Sequence, residues 1–270
     1  MNFRISTITS QLEKRILVLD GAMGTMIQRF GIKGVNNESL SISRPEVISE
    51  IHRLYLEAGA DIISTNTFSA QRISQAEYKC EDRVREYNYV SAQLARAEAD
   101  KMTLITPDRP RFVAGSIGPT SKTASMSQDV DNPAQRDVDF VEFKNAYREQ
   151  ISALIEGGVD VLLMETIFDT LNTKAALEAA REVFQTLGKK VPVMLSVTIA
   201  DAAGRMLSGQ TIEAFILSVK HYINDIVISI GLNCSFGARD MMPFLEKIKE
   251  TVPCYVSSHP NAGFPDVDGN

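Results

Sequence analysis

Cysteine is scarce in this 270-residue chain, and the few cysteines present are not arranged for disulfides. Cys80, Cys234 and Cys254 are an odd number and lie far apart in the sequence. The N-terminal segment has no apolar stretch of the kind that a secretory signal requires. We therefore expect reduced thiols in a cytoplasmic protein rather than a disulfide framework.

Long hydrophobic runs and concentrated basic charge are also absent. No stretch approaches the roughly 18 consecutive apolar residues that would predict a transmembrane helix. The formal net charge is −6, and lysine and arginine are spread evenly along the chain. These features predict no nucleic-acid partner and no membrane partner. The apolar content of 44% is sufficient for a full globular core.

Short apolar runs alternate with longer amphipathic segments along the whole chain. The runs predict buried parallel strands, because they are rich in branched residues and are bounded by polar turns. We place seven strands at residues 16–20, 61–65, 112–116, 160–165, 193–198, 225–231 and 254–258. The amphipathic segments predict helices at residues 44–58, 70–100, 139–157, 170–187, 211–222 and 238–251.

Seven strand–helix repeats without a shift in composition predict one α/β domain over residues 1–270. An open doubly wound sheet would also give this alternation. Polar and Gly-rich positions cluster after the strand ends, which favours a (β/α)8 TIM-type barrel. The count is one strand short, and the last residues are rich in Pro, Gly and Asp. We therefore expect a barrel truncated before strand eight, incomplete at its C-terminus, from a longer protein.

Local signals mark two of the predicted helices. Ser43 is predicted to cap helix 44–58, with Pro45 near its first turn and Glu46 at the third position. Asp169 is predicted to cap helix 170–187, and Gly188 is predicted to end it.

The first candidate site residues follow the first predicted strand. Asp20 ends that strand, and Gly21, Gly24 and Thr25 belong to the turn after it. An aspartate at a barrel strand end can accept hydrogen bonds from a substrate ammonium, and the glycines bring backbone amides close to an anion. The G-x-x-G spacing alone favours an ordinary glycine turn with a helix cap.

Other strand ends also carry polar residues. Asn66 stands at the tip of the second strand, and Glu165 directly follows four apolar residues of the fourth. A carboxylate at that depth must be paired or solvated. The alternative is a charge that favours the start of the next helix, a role that Asp169 fits better. His259 is interpreted as part of a His-Pro turn rather than as a ligand or base.

Cys234 follows the sixth predicted strand and lies among small residues. A thiol on the rim of a barrel can be a nucleophile or a zinc ligand. Cys80 and Cys254 are interpreted as packing or surface thiols. Neither C-x-x-C nor H-x-x-x-H occurs in the sequence, so these residues by themselves only suggest a metal site.

Seven motifs taken together resemble the homocysteine S-methyltransferase family. In order they are LDGAMGTMIQ, EAGADIISTNTF, VAGSIGPT, METIFDTLNTKAAL, SGQT, GLNC and HPNAG. More narrowly, DTLNTKAAL and TASMSQDV resemble the N-terminal homocysteine-binding domain of cobalamin-dependent methionine synthase. The likeness extends from about residue 11 to the end of the sequence.

The resemblance implies a zinc site at the C-terminal face of the barrel. Homocysteine would place its sulfur on a zinc ion held by three cysteine thiolates. Cys234 corresponds to one of them. The other two belong to a G-G-C-C motif after strand eight, and we expect them beyond the end of this chain. With one thiolate of three, this chain is expected to bind zinc weakly.

The resemblance also implies a role for each remaining candidate. Asp20 and Glu165 would bind the amino group of homocysteine. The turn amides around residues 21–25 would hold its carboxylate. Asn66 and Asn233 would line the pocket or support the metal.

The reaction implied by the resemblance is methionine synthesis. The zinc-bound homocysteine thiolate would accept a methyl group from methylcobalamin, which is recharged from methyltetrahydrofolate. Folate- and cobalamin-binding domains elsewhere in the parent chain would carry both. Two alternatives stay open: a stand-alone methyltransferase that uses betaine or S-methylmethionine, and a truncated barrel that is inactive on its own.

Overall fold

A curled, six-stranded parallel sheet is the centre of the computed structural model, which describes residues 3–127, 129 and 131–262. The strands are β1 (Ile62–Ser64), β2 (Phe112–Ile117), β3 (Val161–Ile167), β4 (Val193–Val197), β5 (Val227–Gly237) and β6 (Tyr255–Asn261). Each strand pairs with the next along the chain, and helices connect them. This order is that of a TIM-type barrel and confirms the predicted α/β class.

Ten α-helices accompany the sheet in the described residues. They are α1 (Phe3–Leu12), α2 (Met23–Arg29), α3 (Leu40–Ser43), α4 (Pro45–Glu57), α5 (Arg72–Gln75), α6 (Val84–Ile105), α7 (Phe140–Gly157), α8 (Thr170–Leu187), α9 (Ile212–Val219) and α10 (Ala238–Thr251). Neighbouring helices α6, α7 and α8 pack side by side along the sheet. Within the described ranges, none of the helices has the length and apolar character needed to cross a membrane.

Residues 16–20, predicted as the first strand, form only an isolated bridge. Leu19 pairs in parallel with Ile62, and the backbone N–H of Asp20 donates to the Ile62 carbonyl at 2.9 Å. The prediction of a full strand is therefore wrong. A strand needs a ladder of hydrogen bonds, and its neighbour β1 is only three residues long. The segment still runs along β1, which places Asp20 beside Ser64.

The last two strands extend beyond their apolar runs. β5 continues past Cys234 to Gly237, and β6 continues past His259 to Asn261. The predicted His-Pro turn is therefore wrong. Pro260 is accommodated because the register between β5 and β6 shifts at this point, so no ladder hydrogen bond is required from it.

Two of the three predicted helix-end signals are confirmed. Asp169 accepts hydrogen bonds from two backbone amides of the first turn of α8, and Gly188 ends that helix at φ 59°. The Ser43 prediction is wrong. Ser43 is the last residue of α3, and its hydroxyl donates to the Ser39 carbonyl at 3.0 Å, so it is not available to cap α4.

The predicted helix over residues 70–100 is broken near its start. α5 covers four residues, and Lys79 at φ 54° lies between it and α6. A left-handed residue cannot continue an α-helix. Cys80 lies in this break and is partly buried, which agrees with a packing role rather than a position on a regular helix.

Alternation along the strands divides the core into two layers. The residues that face the helices include Ile63, Val113, Leu162, Met164 and Leu195. Those that fill the interior of the sheet include Ile62, Phe112, Ala114, Leu163 and Met194. Ile8 of α1 joins the interior layer where the strands begin. The polar candidate site residues lie at the opposite end of the sheet, where the strands finish.

Asp61, just before β1, and Asp160, just before β3, each make the same pair of hydrogen bonds to a valine of the neighbouring segment. Each carboxylate accepts the backbone N–H of one residue on the preceding segment, Val18 or Val113, at 2.9 Å. Each aspartate also donates its own N–H to the carbonyl of that same valine. The two side chains thereby fix how neighbouring segments align.

Replacing Asp61 by asparagine is expected to lower the free energy of unfolding by about 2 kcal/mol at neutral pH. Arg15 and Arg109 both bond this buried carboxylate at 2.7 Å, but they are 33% and 41% exposed, so water partly compensates their loss. Burial would raise the pKa of Asp61, and its hydrogen bonds from the two arginines hold that pKa at about 2.

The pH dependence follows from that value. The pKa of Asp61 is lower in the folded protein than the roughly 3.9 of an unfolded aspartate. Its contribution is therefore complete above about pH 4 and is lost as the pH falls toward about 2. Urea unfolding of both proteins over this range measures the difference. Equal stability of Asp61→Asn and the unmodified protein at neutral pH would contradict the ion-pair role.

Candidate functional site

Two acidic side chains, Asp20 and Glu165, lie at the end of the sheet where the strands finish. Asp20 is 6% exposed, and Glu165 is a half-buried residue in the last part of β3. They are close enough for the charge of Glu165 to raise the pKa of Asp20. The structure therefore brings the two predicted carboxylates together.

Serines on the neighbouring strands hold both carboxylates. Ser64 of β1 donates its backbone N–H to Asp20 Oδ2 at 2.7 Å and its hydroxyl to Oδ1 at 3.0 Å. Ser116 of β2 donates its hydroxyl to Glu165 Oε1 at 2.5 Å. Each carboxylate is thereby oriented by hydroxyl groups that carry no charge.

The electrostatics of this acidic pair are uncompensated. Burial raises the pKa of Asp20 to about 7, opposed by the Ser64 hydrogen bonds and aided by the charge of Glu165. Burial also raises the pKa of Glu165, against the hydrogen bond from Ser116. The His259 ring also lies against the backbone of Asp20, and burial lowers the pKa of His259, which favours its neutral form. A positively charged ligand would compensate both groups, which is typical of a binding site.

The glycine turn after Asp20 is shaped by Tyr55 of α4. The Tyr55 hydroxyl donates to the Ala22 carbonyl at 3.1 Å. A Cβ at Gly21 would stand 2.8 Å from the Tyr55 hydroxyl oxygen, so a larger residue here would displace the Tyr55 ring from the turn. Gly24 and Thr25 lie in the first turn of α2, where the N-cap residue Ala22 provides no side-chain cap. The predicted turn and helix start are both present.

Asn233 of β5 is buried and uses both ends of its amide. Oδ1 accepts from the Thr166 backbone N–H at 3.0 Å and from the Ser196 hydroxyl at 2.7 Å. Nδ2 donates to Thr166 Oγ1 at 2.9 Å and to Cys234 Sγ at 3.2 Å. This side chain joins β3, β4 and β5, with Glu165 adjacent in sequence to one of its partners.

Cys234 lies inside β5, not after a strand as predicted. It adopts φ 58° where the register between β5 and β6 shifts, and its thiol is exposed. The Asn261 side chain donates to the Cys234 carbonyl at 3.2 Å. A left-handed residue turns its side chain out of the regular strand pattern, which explains how a thiol within a strand reaches the surface.

The described residues do not by themselves fit a zinc ion. A zinc site with protein ligands needs three or four thiolate, imidazole or carboxylate groups. No group of three or more such side chains comes together in the described part of the chain. Cys254 directly precedes the start of β6, whereas Cys234 lies beside its end. Cys234 is thus a single candidate ligand.

Asn66 lies at the wall of a cavity of about 420 Å³ that Met23 and Gly24 also line. Its Nδ2 donates to the Asn37 carbonyl at 2.7 Å and to the Ser41 hydroxyl at 3.3 Å. The Asn66 amide therefore holds the connection between α2 and α3.

Sequence reasoning missed the residues that orient the candidates, above all Ser64, Ser116, Thr166 and Tyr55. A signal exists for the two serines, because each is a hydroxyl residue within an otherwise apolar strand. Thr166 and Tyr55 have no comparable signal, since their roles depend on contacts between distant segments.

The chain matches one family model and resembles several solved structures. The family model for homocysteine S-methyltransferase matches residues 17–270. The metallated homocysteine methyltransferase MmuM from Escherichia coli is 22% identical with a TM-score of 0.77, over 94% of this chain and 86% of that chain. Its apo form is 24% identical with a TM-score of 0.70, over 93% and 84%.

At these identities the solved structures show a shared fold, and the family match carries the assignment. It covers nearly the whole chain and includes every candidate from Asp20 to Cys234. The resemblance seen in the seven motifs is thereby confirmed at the level of the family. The chain is a member of the homocysteine S-methyltransferase family, whose reaction is methyl transfer to homocysteine.

Proposed function

We propose that residues 1–270 are a homocysteine-binding barrel domain of a cobalamin-dependent methionine synthase. In this proposal the homocysteine thiolate would attack the methyl group of methylcobalamin, the cobalt–carbon bond would break to leave cob(I)alamin, and methionine would be released. Folate- and cobalamin-binding domains of the parent chain are the partners. The observation that carries homocysteine recognition is the acidic pair of buried Asp20 and half-buried Glu165, and the DTLNTKAAL and TASMSQDV motifs support the cobalamin-dependent type.

The acidic pair supports recognition of an amino acid. Buried Asp20 and half-buried Glu165 are held by neutral serines, so both carboxylates are costly to ionise. The ammonium group of homocysteine would supply the missing charge and would lower the pKa of both Asp20 and Glu165. The uncapped amides at the start of α2, residues 21–25, are the proposed contact for the substrate carboxylate.

The sulfur of homocysteine is proposed to lie toward Cys234. Asn233 contacts both Cys234 and Thr166, and Thr166 directly follows Glu165 in β3. Cys234 and Asn233 therefore lie at the strand ends near Glu165. A zinc ion at Cys234, completed by two cysteines outside this sequence, would keep the substrate sulfur in its thiolate form at neutral pH.

A ligand lacking only the amino group tests this function most directly. We expect the protein to bind L-homocysteine more tightly than 4-mercaptobutanoate, which is the same molecule without the ammonium. Calorimetry or equilibrium dialysis measures the ratio of the two affinities. Equal affinities would overturn the proposed role of the acidic pair.

The methyl donor is decided by a second assay. Methionine formation is measured with methylcobalamin, betaine or S-methylmethionine as the donor. Transfer from methylcobalamin supports the methionine synthase type. Transfer from betaine or S-methylmethionine would indicate the stand-alone type instead. Homocysteine binding without transfer from any donor would indicate a barrel that is inactive on its own.

Replacing Cys234 by alanine is expected to abolish whatever zinc binding and methyl transfer the protein has, because the proposed site loses its thiolate. Cys80→Ala is the matched control, since Cys80 lies in the break between α5 and α6. Zinc retained after dialysis and methionine formed are measured for both variants. Activity that survives in Cys234→Ala would show that the ligand assignment is wrong.

A further inference from the structure

Two non-glycine residues with left-handed backbones lie on either side of β4. Thr166 of β3 has φ 56° and Cys234 of β5 has φ 58°. Both lie where the strand register shifts. A left-handed conformation is unfavourable for a β-branched residue such as threonine. Such a conformation persists only where surrounding contacts impose it.

Asn233 supplies those contacts to both residues at once. Its amide bonds the backbone N–H and the hydroxyl of Thr166, and its Nδ2 bonds the thiol of Cys234. The Ser196 hydroxyl of β4 holds the same amide at 2.7 Å. Asn233 is 1% exposed, so water does not compete for these hydrogen bonds. The two irregular strand ends are therefore built around one side chain.

The position of this network matters because Thr166 immediately follows Glu165. The backbone angle at Thr166 sets the direction in which the end of β3 leaves the sheet. Cys234 follows Asn233 directly in sequence. Any movement of Asn233 relative to Thr166 would therefore change the spacing between the Glu165 carboxylate and the Cys234 thiol.

We infer that Thr166 is a positioning residue, which acts through Asn233 to set the distance between the Glu165 carboxylate and the Cys234 thiol. This inference rests on the proposed function, in which Glu165 meets the amino group of homocysteine and Cys234 lies at its sulfur. A ligand that uses both ends of the site depends on that distance, whereas a ligand without the amino group does not.

Thr166→Val tests the inference, with Thr166→Ser as the matched control. Valine keeps the shape of threonine but removes the hydroxyl that bonds Asn233, whereas serine keeps the hydroxyl. Thr166→Val is expected to weaken L-homocysteine binding about ten- to a hundredfold, as removal of a supporting contact commonly does. Binding of 4-mercaptobutanoate should stay unchanged, and Thr166→Ser should behave like the unmodified protein.

Thr166→Gly is a second test of the hydroxyl that does not depend on whether the valine variant folds correctly. Glycine adopts the left-handed backbone freely, so this variant should fold at least as stably while still lacking the hydroxyl. It should show the same selective loss of homocysteine binding.

Three outcomes separate the possibilities. Unchanged homocysteine affinity in both Thr166→Val and Thr166→Gly would overturn the inference. Equal weakening of both ligands together with a lower melting temperature would assign Thr166 a merely structural role and would also overturn it. If the unmodified protein does not discriminate between the two ligands, the proposed function itself fails and the inference falls with it.

Discussion

Replacing Asp20 by asparagine should weaken homocysteine binding strongly and at the same time make the protein more stable at about pH 8. Loss of the carboxylate leaves the substrate ammonium without its buried partner, which costs about 2–5 kcal/mol of binding. The free protein gains, because a carboxylate whose pKa is raised by burial no longer has to ionise. Isothermal calorimetry and thermal unfolding measure the two effects.

The direction of the stability effect follows from the pKa of Asp20. That pKa is about 7 in the folded protein and about 3.9 in an unfolded chain. The folded protein therefore holds this proton more tightly, and its stability decreases as the pH rises from about 4 to about 7. The gain from Asp20→Asn should reach at most about 4 kcal/mol above pH 7 and should disappear near pH 4.

Homocysteine binding should depend on pH in the opposite sense. The ammonium needs the ionised carboxylate, so affinity should be highest above about pH 7 and should fall as Asp20 takes up a proton. Asp20→Asn should remove most of this dependence. A profile that remains as steep in the variant would assign the titration to another group.

Asp169→Asn is the matched control for Asp20→Asn. Asp169 is also a buried carboxylate near the same end of the sheet, but its oxygens cap α8 and accept the backbone N–H and hydroxyl of Ser125. This variant should lose stability and should keep most of its homocysteine affinity. Loss of stability in Asp20→Asn, as in Asp169→Asn, would show that Asp20 is structural.

Adding one methyl group at Gly231 is expected to be the most damaging single change in β5. Gly231 pairs with Ser257 of β6, and a Cβ at this position would overlap the Ser257 carbonyl oxygen and hydroxyl. Backbone atoms cannot move aside without breaking the ladder between the two strands. Gly231→Ala should therefore cost about 3 kcal/mol or more, at the upper end of overpacking effects.

Gly237→Ala provides the comparison within the same strand. A Cβ at Gly237 would meet no atom within 4 Å, so the change should cost less than about 1 kcal/mol. Denaturant unfolding of both variants measures the contrast. A similar, small effect at the two positions would contradict the close approach of β5 and β6 at Gly231.

The sequence was sufficient to predict the strands of the sheet and the ends at which the polar residues gather. Asp20 and Glu165 were identified because each directly follows an apolar run, and position after a buried strand is a local property. The caps at Asp169 and Gly188 are local for the same reason. Residues 16–20 failed as a strand although they are equally apolar, because pairing depends on the neighbour as well as on the segment.

What could not be predicted are features that need two distant segments at once. Ser64 and Ser116 orient the carboxylates only because the strands align in one register. The left-handed backbones of Thr166 and Cys234 are imposed by Asn233 and run against the preference of threonine for extended structure. Composition and periodicity contain no information about such contacts.

The paired valine contacts of Asp61 and Asp160 also bear on how the chain finds its fold. Parallel strands come from distant parts of the sequence, and such pairings are slow to form and easily misaligned. A slip of one residue would turn each aspartate toward the opposite face of the sheet and bury its charge among apolar side chains. Misaligned pairings would thus be short-lived, and these two aspartates would favour the native strand register during folding.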